Sequence, residues 1–180
     1  MKKNVTVETY LALLRGINVG GHKPVNMEEL KKLFESLKFE NVKTLINSGN
    51  VAFDSDEIKT ETLSKKIKEK ISTNLGYKVE TFVLGIKTIE EILRLNPFRK
   101  IKKGDTAYVT FLPSGLTAPK LPLKSQNGDF EVLLIKNSAA FSVSRRVNGK
   151  SGYPNIFLEK TLKVPATTRN WNTINKIVRY

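Results

Sequence analysis

An α+β fold is predicted by the order of two kinds of apolar pattern. Over roughly the first 80 residues, short runs of β-forming residues alternate with amphipathic stretches as strand, helix, strand, strand, helix, strand, the order of a ferredoxin-like (βαββαβ) half. A second α+β half with two C-terminal helices, packed on the first, is expected from the remainder. The boundaries are 1–85 for the ferredoxin-like half and 86–180 for the second. With 180 residues and 39% hydrophobic content, the chain can bury its cores without disulfides or metal staples.

Each element has a local signal. Glu8 to Arg15 is apolar and β-forming and stops at Gly16, which predicts a strand. Asn26, with Glu29 three residues on, starts a helix whose apolar face is Met27, Leu30, Leu33, Phe34 and Leu37. Val42 to Ile46 and Val51 to Phe53 flank the turn Asn47-Ser48-Gly49-Asn50 and predict a hairpin. Leu63, Ile67, Ile71 and Leu75 recur four apart on a second helix, and Lys78 to Leu84 closes the half as a strand.

Beyond it, Thr88 with Glu91 reads as a capping box for a short helix ending near Asn96-Pro97. Strands are expected at Thr106 to Leu112, Asp129 to Ile135 and Ala140 to Ser144, and helices at Pro154 to Leu162 and Arg169 to Val178. The stretch from Pro113 to Gly128 is rich in Pro and Gly and predicts turns. The second half reads as a degenerate repeat of the first, although no repeat is visible in the residues themselves.

Composition narrows the function classes. The absence of cysteine removes disulfides, thiolate catalysis and Cys-ligated zinc, and fits a cytoplasmic location. The apolar run near the N-terminus is broken by Thr6, Glu8 and Thr9, so neither a signal peptide nor a membrane helix is expected, and no membrane partner. Thirty-one Lys and Arg against seventeen Asp and Glu leave a net charge of +14. Such an excess attracts polyanions, so a phosphate-bearing ligand or nucleic acid, bound weakly through charge, is the expected partner. The basic residues lie scattered in the sequence, and the paired aromatics of an RNA recognition motif are missing.

Three strings are built from Gly, Asn, Thr and Arg between apolar runs: LLRGINVGG (Leu13 to Gly21), SGNV (Ser48 to Val51) and PATTRNWNT (Pro165 to Thr173). Together they resemble the bacterial domain of unknown function 1697, over a length running from the first strand to the last helix. The resemblance implies a compatible fold and assigns no reaction, ligand or catalytic residue. Asn155, Glu159 and the ATTRNWNT string match its pattern; a basic residue is expected near Gly152, and a glycine where Lys163 stands.

The loop GINVGGHKP follows a strand and precedes a helix, as a phosphate loop would, yet His22 replaces the Walker lysine and Pro24 the magnesium-binding hydroxyl. The spacing of Gly16 and Gly20 also fails the dinucleotide fingerprint. His22 is the only histidine, so no His pair exists for a metal and no metal or other cofactor is predicted. Trp171, Ile174, Ile177 and Val178 share a helix face, which predicts a core role for Trp171, with Thr167, Thr168 or Asn170 as the cap. Arg169 is then expected in the first helical turn, where a cation costs roughly 0.3 to 1 kcal/mol. Either an internal carboxylate or an anionic ligand would compensate.

These readings give a ligand-binding set of Arg15, Asn18, Lys23, Asn50, Thr168 and Arg169 in a non-enzymatic anion- or nucleic-acid-binding module. The competing class is an enzyme acting on a phosphorylated small molecule, with His22 as acid or base. No catalytic residue is assigned, and the residues do not define an oligomeric state. Ferredoxin-like connectivity further predicts that RGINVGGHK and NSGN meet at one end of the first sheet, with the amides of the first helix nearby to receive an anion.

Overall fold

The computed structural model describes residues 6–18, 24–46, 49–117 and 119–179. The chain divides into two compact units, Met1–Lys87 and Thr88–Tyr180.

The first unit runs β1 (Glu8–Leu14), α1 (Met27–Glu35), β2 (Glu40–Leu45), β3 (Asn50–Ser55), α2 (Thr60–Leu75) and β4 (Thr81–Gly85). Its sheet has the order β2-β3-β1-β4 with every neighbouring pair antiparallel, which is the ferredoxin-like arrangement. The helices form where expected. Asn26 accepts from the amides of Glu28 and Glu29, and Leu30, Leu33 and Phe34 turn inward. From α2, Leu63, Ile67 and Ile71 are fully buried against Tyr10, Phe34 and Phe53 in one core.

The second unit takes in most of α3 (Ile86–Leu95), then β5 (Thr106–Phe111), β6 (Leu123–Lys124), β7 (Phe130–Lys136), β8 (Ala139–Ser144), β9 (Arg146–Val147), β10 (Lys150–Ser151), α4 (Pro154–Leu162), β11 (Thr167–Asn170) and α5 (Trp171–Ile177). Helix α3 leaves β4 without a gap, so Thr88 lies inside it rather than capping it. The main sheet has the order β11-β5-β8-β7-β6, all antiparallel.

Read from its other edge, this sheet repeats the first. Strands β7, β8, β5 and β11 stand where β2, β3, β1 and β4 stand, and α4 and α5 follow their strands as α2 and α3 do. Even a local bond recurs: Leu14 N donates to Gly49 O at 2.8 Å, and Leu112 N to Ser138 O at 2.8 Å. The units differ in the first crossover, where Pro113, Pro119 and Pro122 lie in a stretch that forms the edge strand β6 rather than a helix.

Two sequence expectations at the C-terminus change. Thr167–Asn170 is an edge strand paired with β5, so Arg169 lies on a strand and the dipole cost does not apply to it. Asn170 is the cap of α5, accepting from Asn172 N at 2.9 Å. Trp171 is half-buried rather than fully enclosed, with its ring against Phe98 at a centroid distance of 5.0 Å and Phe141 at 6.4 Å.

Candidate functional site

In the first unit the Gly-rich loop and the hairpin turn lie at the same end of the sheet. The bond from Leu14 N to Gly49 O joins them, and a Cβ built on Gly49 would stand 3.0 Å from the Cβ atoms of both Leu14 and Ile17. This is the juxtaposition that the connectivity predicts. Arg15 is exposed there, with its backbone amide bonded to Glu80 O. Lys23, and with it His22 and Ser48, lies outside the described residues.

Asn18 and Asn50 brace the backbone at this end. Asn18 adopts φ 55° and clamps Val25 from both sides, with Nδ2 donating to Val25 O at 2.9 Å and Oδ1 accepting from Val25 N at 2.7 Å. Asn50 is 1% exposed and donates to Leu45 O at 3.1 Å, which holds the hairpin turn. The expected anion seat on the α1 amides is already taken, because Asn26 occupies the amides of Glu28 and Glu29 and these two residues add carboxylates to the first turn.

In the second unit, Thr168 is buried between strand and helix. Its hydroxyl donates to Asn155 Oδ1 of α4 at 3.1 Å, so its single proton is used and Thr110, 2.8 Å away, must donate to it. Glu159, also on α4, accepts from Ala166 N at 3.0 Å. The C-terminal string therefore locks β11 to α4. The Arg169 guanidinium donates to Thr167 Oγ1 and Thr168 O, each at 2.9 Å. Burial pulls its pKa down to about 10 against the opposing influence of Tyr153, so it stays charged at neutral pH.

Two further features of this unit carry no sequence signal. Strands β5 and β8 are antiparallel with Thr106 opposite Ser144, so the loop before β5 and the hairpin after β8 share one end of the sheet. An ion pair between Arg145 and Asp105 at 3.5 Å joins them. Arg99, Lys100, Lys102 and Lys103 of the loop and Arg146 of the hairpin are exposed, with no ion-pair partner among the described residues. Glu131, which burial alone would raise, is held below the ordinary carboxyl range by bonds from Arg145 and Lys124. The local carboxylates are thus already matched.

The second feature is the start of α4. Its N-cap, Tyr153, supplies no side-chain acceptor, so the first amides of the helix have no cap. On β8, opposite Tyr108, Ser142 is fully buried and its hydroxyl has no hydrogen-bond partner among the described residues. Burial raises the pKa of neighbouring Tyr108, with Tyr153 adding to the effect, so the Tyr108 phenol is a neutral donor at pH 7. Of these residues only Asn155 left a trace in the sequence, as a match to the family pattern.

Fold and site define a basic α+β protein made of two topologically similar units, with no helix among the described residues long and apolar enough to cross a membrane. The family model "Protein of unknown function (DUF1697)" matches residues 7–141, and the chain belongs to that family. The match contains LLRGINVGG and SGNV but stops short of PATTRNWNT. No curated protein matches. Among solved structures, a conserved bacterial protein, SP0830 from Streptococcus pneumoniae, is similar at 24% identity, covering 97% of this chain and 98% of its own, with a TM-score of 0.68. That likeness concerns the fold alone.

Proposed function

We propose that the protein is a non-enzymatic polyanion-binding module that engages the phosphate backbone of nucleic acid through its second unit. The observation that carries this reading is the convergence of RKIKK (Arg99 to Lys103) and RRVNGK (Arg145 to Lys150) at one end of the second sheet, stapled by Arg145 and Asp105. Charge is divided unequally between the units. Thr88–Tyr180 has sixteen Lys and Arg against six Asp and Glu, or +10, while Met1–Lys87 has fifteen against eleven, or +4. Five exposed cations without a carboxylate partner among the described residues can follow a backbone, and charge alone reads no sequence.

The test is a salt titration of binding to a duplex oligonucleotide. Each phosphate contact contributes about 0.9 to the logarithmic slope, so replacing Lys100, Lys102 and Lys103 together by Ala should lower the slope by about 3. Failure of the unaltered protein to bind at low salt would refute the reading, as would binding that discriminates strongly between sequences.

A further inference from the structure

We propose that the nucleic acid is held as a single strand, with one of its bases stacked on the exposed ring of Tyr153 while its phosphates lie on the cations of the basic loop and hairpin. This names the form of nucleic acid received at that end of the second sheet, and it rests on the proposed polyanion-binding function.

The placement follows from sheet register. Thr106 pairs with Ser144 at the end of β5 and β8 where the basic loop and hairpin meet, and Tyr108 pairs with Ser142 two residues further in. Residues two apart on a strand share a face, so Tyr108 stands on the face of Thr106 and Ser144, about 7 Å from that end. The chain leaving the hairpin of β9 and β10 returns to this face. Gly152 O accepts from Ser144 Oγ, and the next residue, Tyr153, sets its ring edge-on against that of Tyr108 at a centroid distance of 5.8 Å. Strand β5 thus ties one ring to the basic loop, and Gly152 ties the other to the basic hairpin.

The two rings are unequally covered. Tyr108 is half-buried, whereas Tyr153 is 54% exposed and gives α4 no side-chain cap. Three residues on, Ile156 is 58% exposed, and these two are the only exposed large apolar side chains of the second unit among the described residues. A single exposed apolar residue is ordinary on a surface, whereas two neighbours beside a cationic cluster form a contact face. No acidic residue lies in the first turn of α4 to repel a phosphate. Asp129 stands beside Gly152, where its carboxylate accepts from Ser125 Oγ.

A flat ring among cations suits a partner that carries both flat rings and phosphates. Stacking of a base on an aromatic side chain tolerates any base, so it adds affinity without reading sequence. Within a duplex the base faces are covered by the neighbouring pairs and cannot lie on Tyr153; in a single strand they are free to do so. An acidic peptide would neutralise the cations but gives the ring no base to stack on.

The experiment measures binding of the full chain to oligothymidylate, to an abasic strand of the same length and to a duplex of that length, each across a salt series. The unaltered protein should bind the abasic strand about tenfold more weakly than oligothymidylate, the loss expected of one stacked base. Tyr153→Ala should weaken oligothymidylate by the same factor with its salt slope unchanged, and should leave the duplex and the abasic strand within about twofold. Tyr153→Phe keeps the ring and should retain the affinity. Lys100, Lys102 and Lys103 changed together to Ala should instead lower the single-strand slope by about 2. The stacked base is overturned by equal affinity of the unaltered protein for the two single strands, by an unchanged affinity in Tyr153→Ala, or by a loss in that variant that is equal on the duplex. If the unaltered protein still binds the duplex with its steep salt slope, those results leave the polyanion-binding function standing; failure to bind any of the three at low salt overturns both.

Discussion

Gly49 and Gly16 make a matched pair of perturbations, because both have left-handed backbones, φ 68° and φ 73°, in very different surroundings. A Cβ on Gly16 meets nothing within 4 Å, whereas on Gly49 it would stand 3.0 Å from two Cβ atoms and 3.2 Å from Leu14 O. Gly16→Ala should therefore cost only the backbone penalty, about 1 kcal/mol. Gly49→Ala adds overpacking of about 1 to 3 kcal/mol, for a total of about 2 to 4 kcal/mol. None of the crowded atoms is the free end of a flexible side chain, so relief requires the Gly-rich loop and the hairpin to separate. Urea denaturation should be followed by far-UV circular dichroism, since the single tryptophan, Trp171, reports on the second unit. With a slope of about 1 to 3 kcal/mol per molar urea, Gly49→Ala should lower the midpoint by roughly 1 M or more, and Gly16→Ala by clearly less. Equal losses for the two variants would refute the close approach of loop and turn.

Two other substitutions test the second unit. Trp171→Ala should cost about 2 to 4 kcal/mol in a thermal or denaturant melt, less than for an enclosed ring because Trp171 is half-buried beside Phe98 and Phe141; an unchanged melt would mean that the aromatic cluster contributes no stability. Lys163 ends α4 in the left-handed region at φ 54°, so Lys163→Gly should stabilise the unit by about 0.5 to 1 kcal/mol. A fall in melting temperature on that change would show that the lysine side chain outweighs the backbone strain.

The first unit was largely legible because its signals are local. Periods of three and four residues marked α1 and α2, Asn26 with Glu29 marked the start of α1, and Asn-Ser-Gly-Asn marked the hairpin. Connectivity then brought loop and turn together without any knowledge of side chains. The same local reading misjudged Thr88, because a Thr three residues before Glu carries the same signal whether a helix begins there or two residues earlier.

The amino-acid sequence by itself determined the charge, the absence of thiol chemistry, the helix faces and the order of elements in the first unit, all of which depend on residue type or near neighbours. Only the tertiary structure decided what the polar residues do. Asn18, Asn50 and Thr168 look like ligand donors as residue types, but the fold engages them in bonds to Val25, Leu45, Thr110 and Asn155. TTRN is too short to display a period, and β5, some sixty residues away, makes it a strand. Register between β5 and β8 joins two basic strings that look scattered along the chain, and it buries the Ser142 hydroxyl without a partner among the described residues. These outcomes rest on pairings between distant residues, and hydrogen bonds of that kind leave no periodic trace in a single chain.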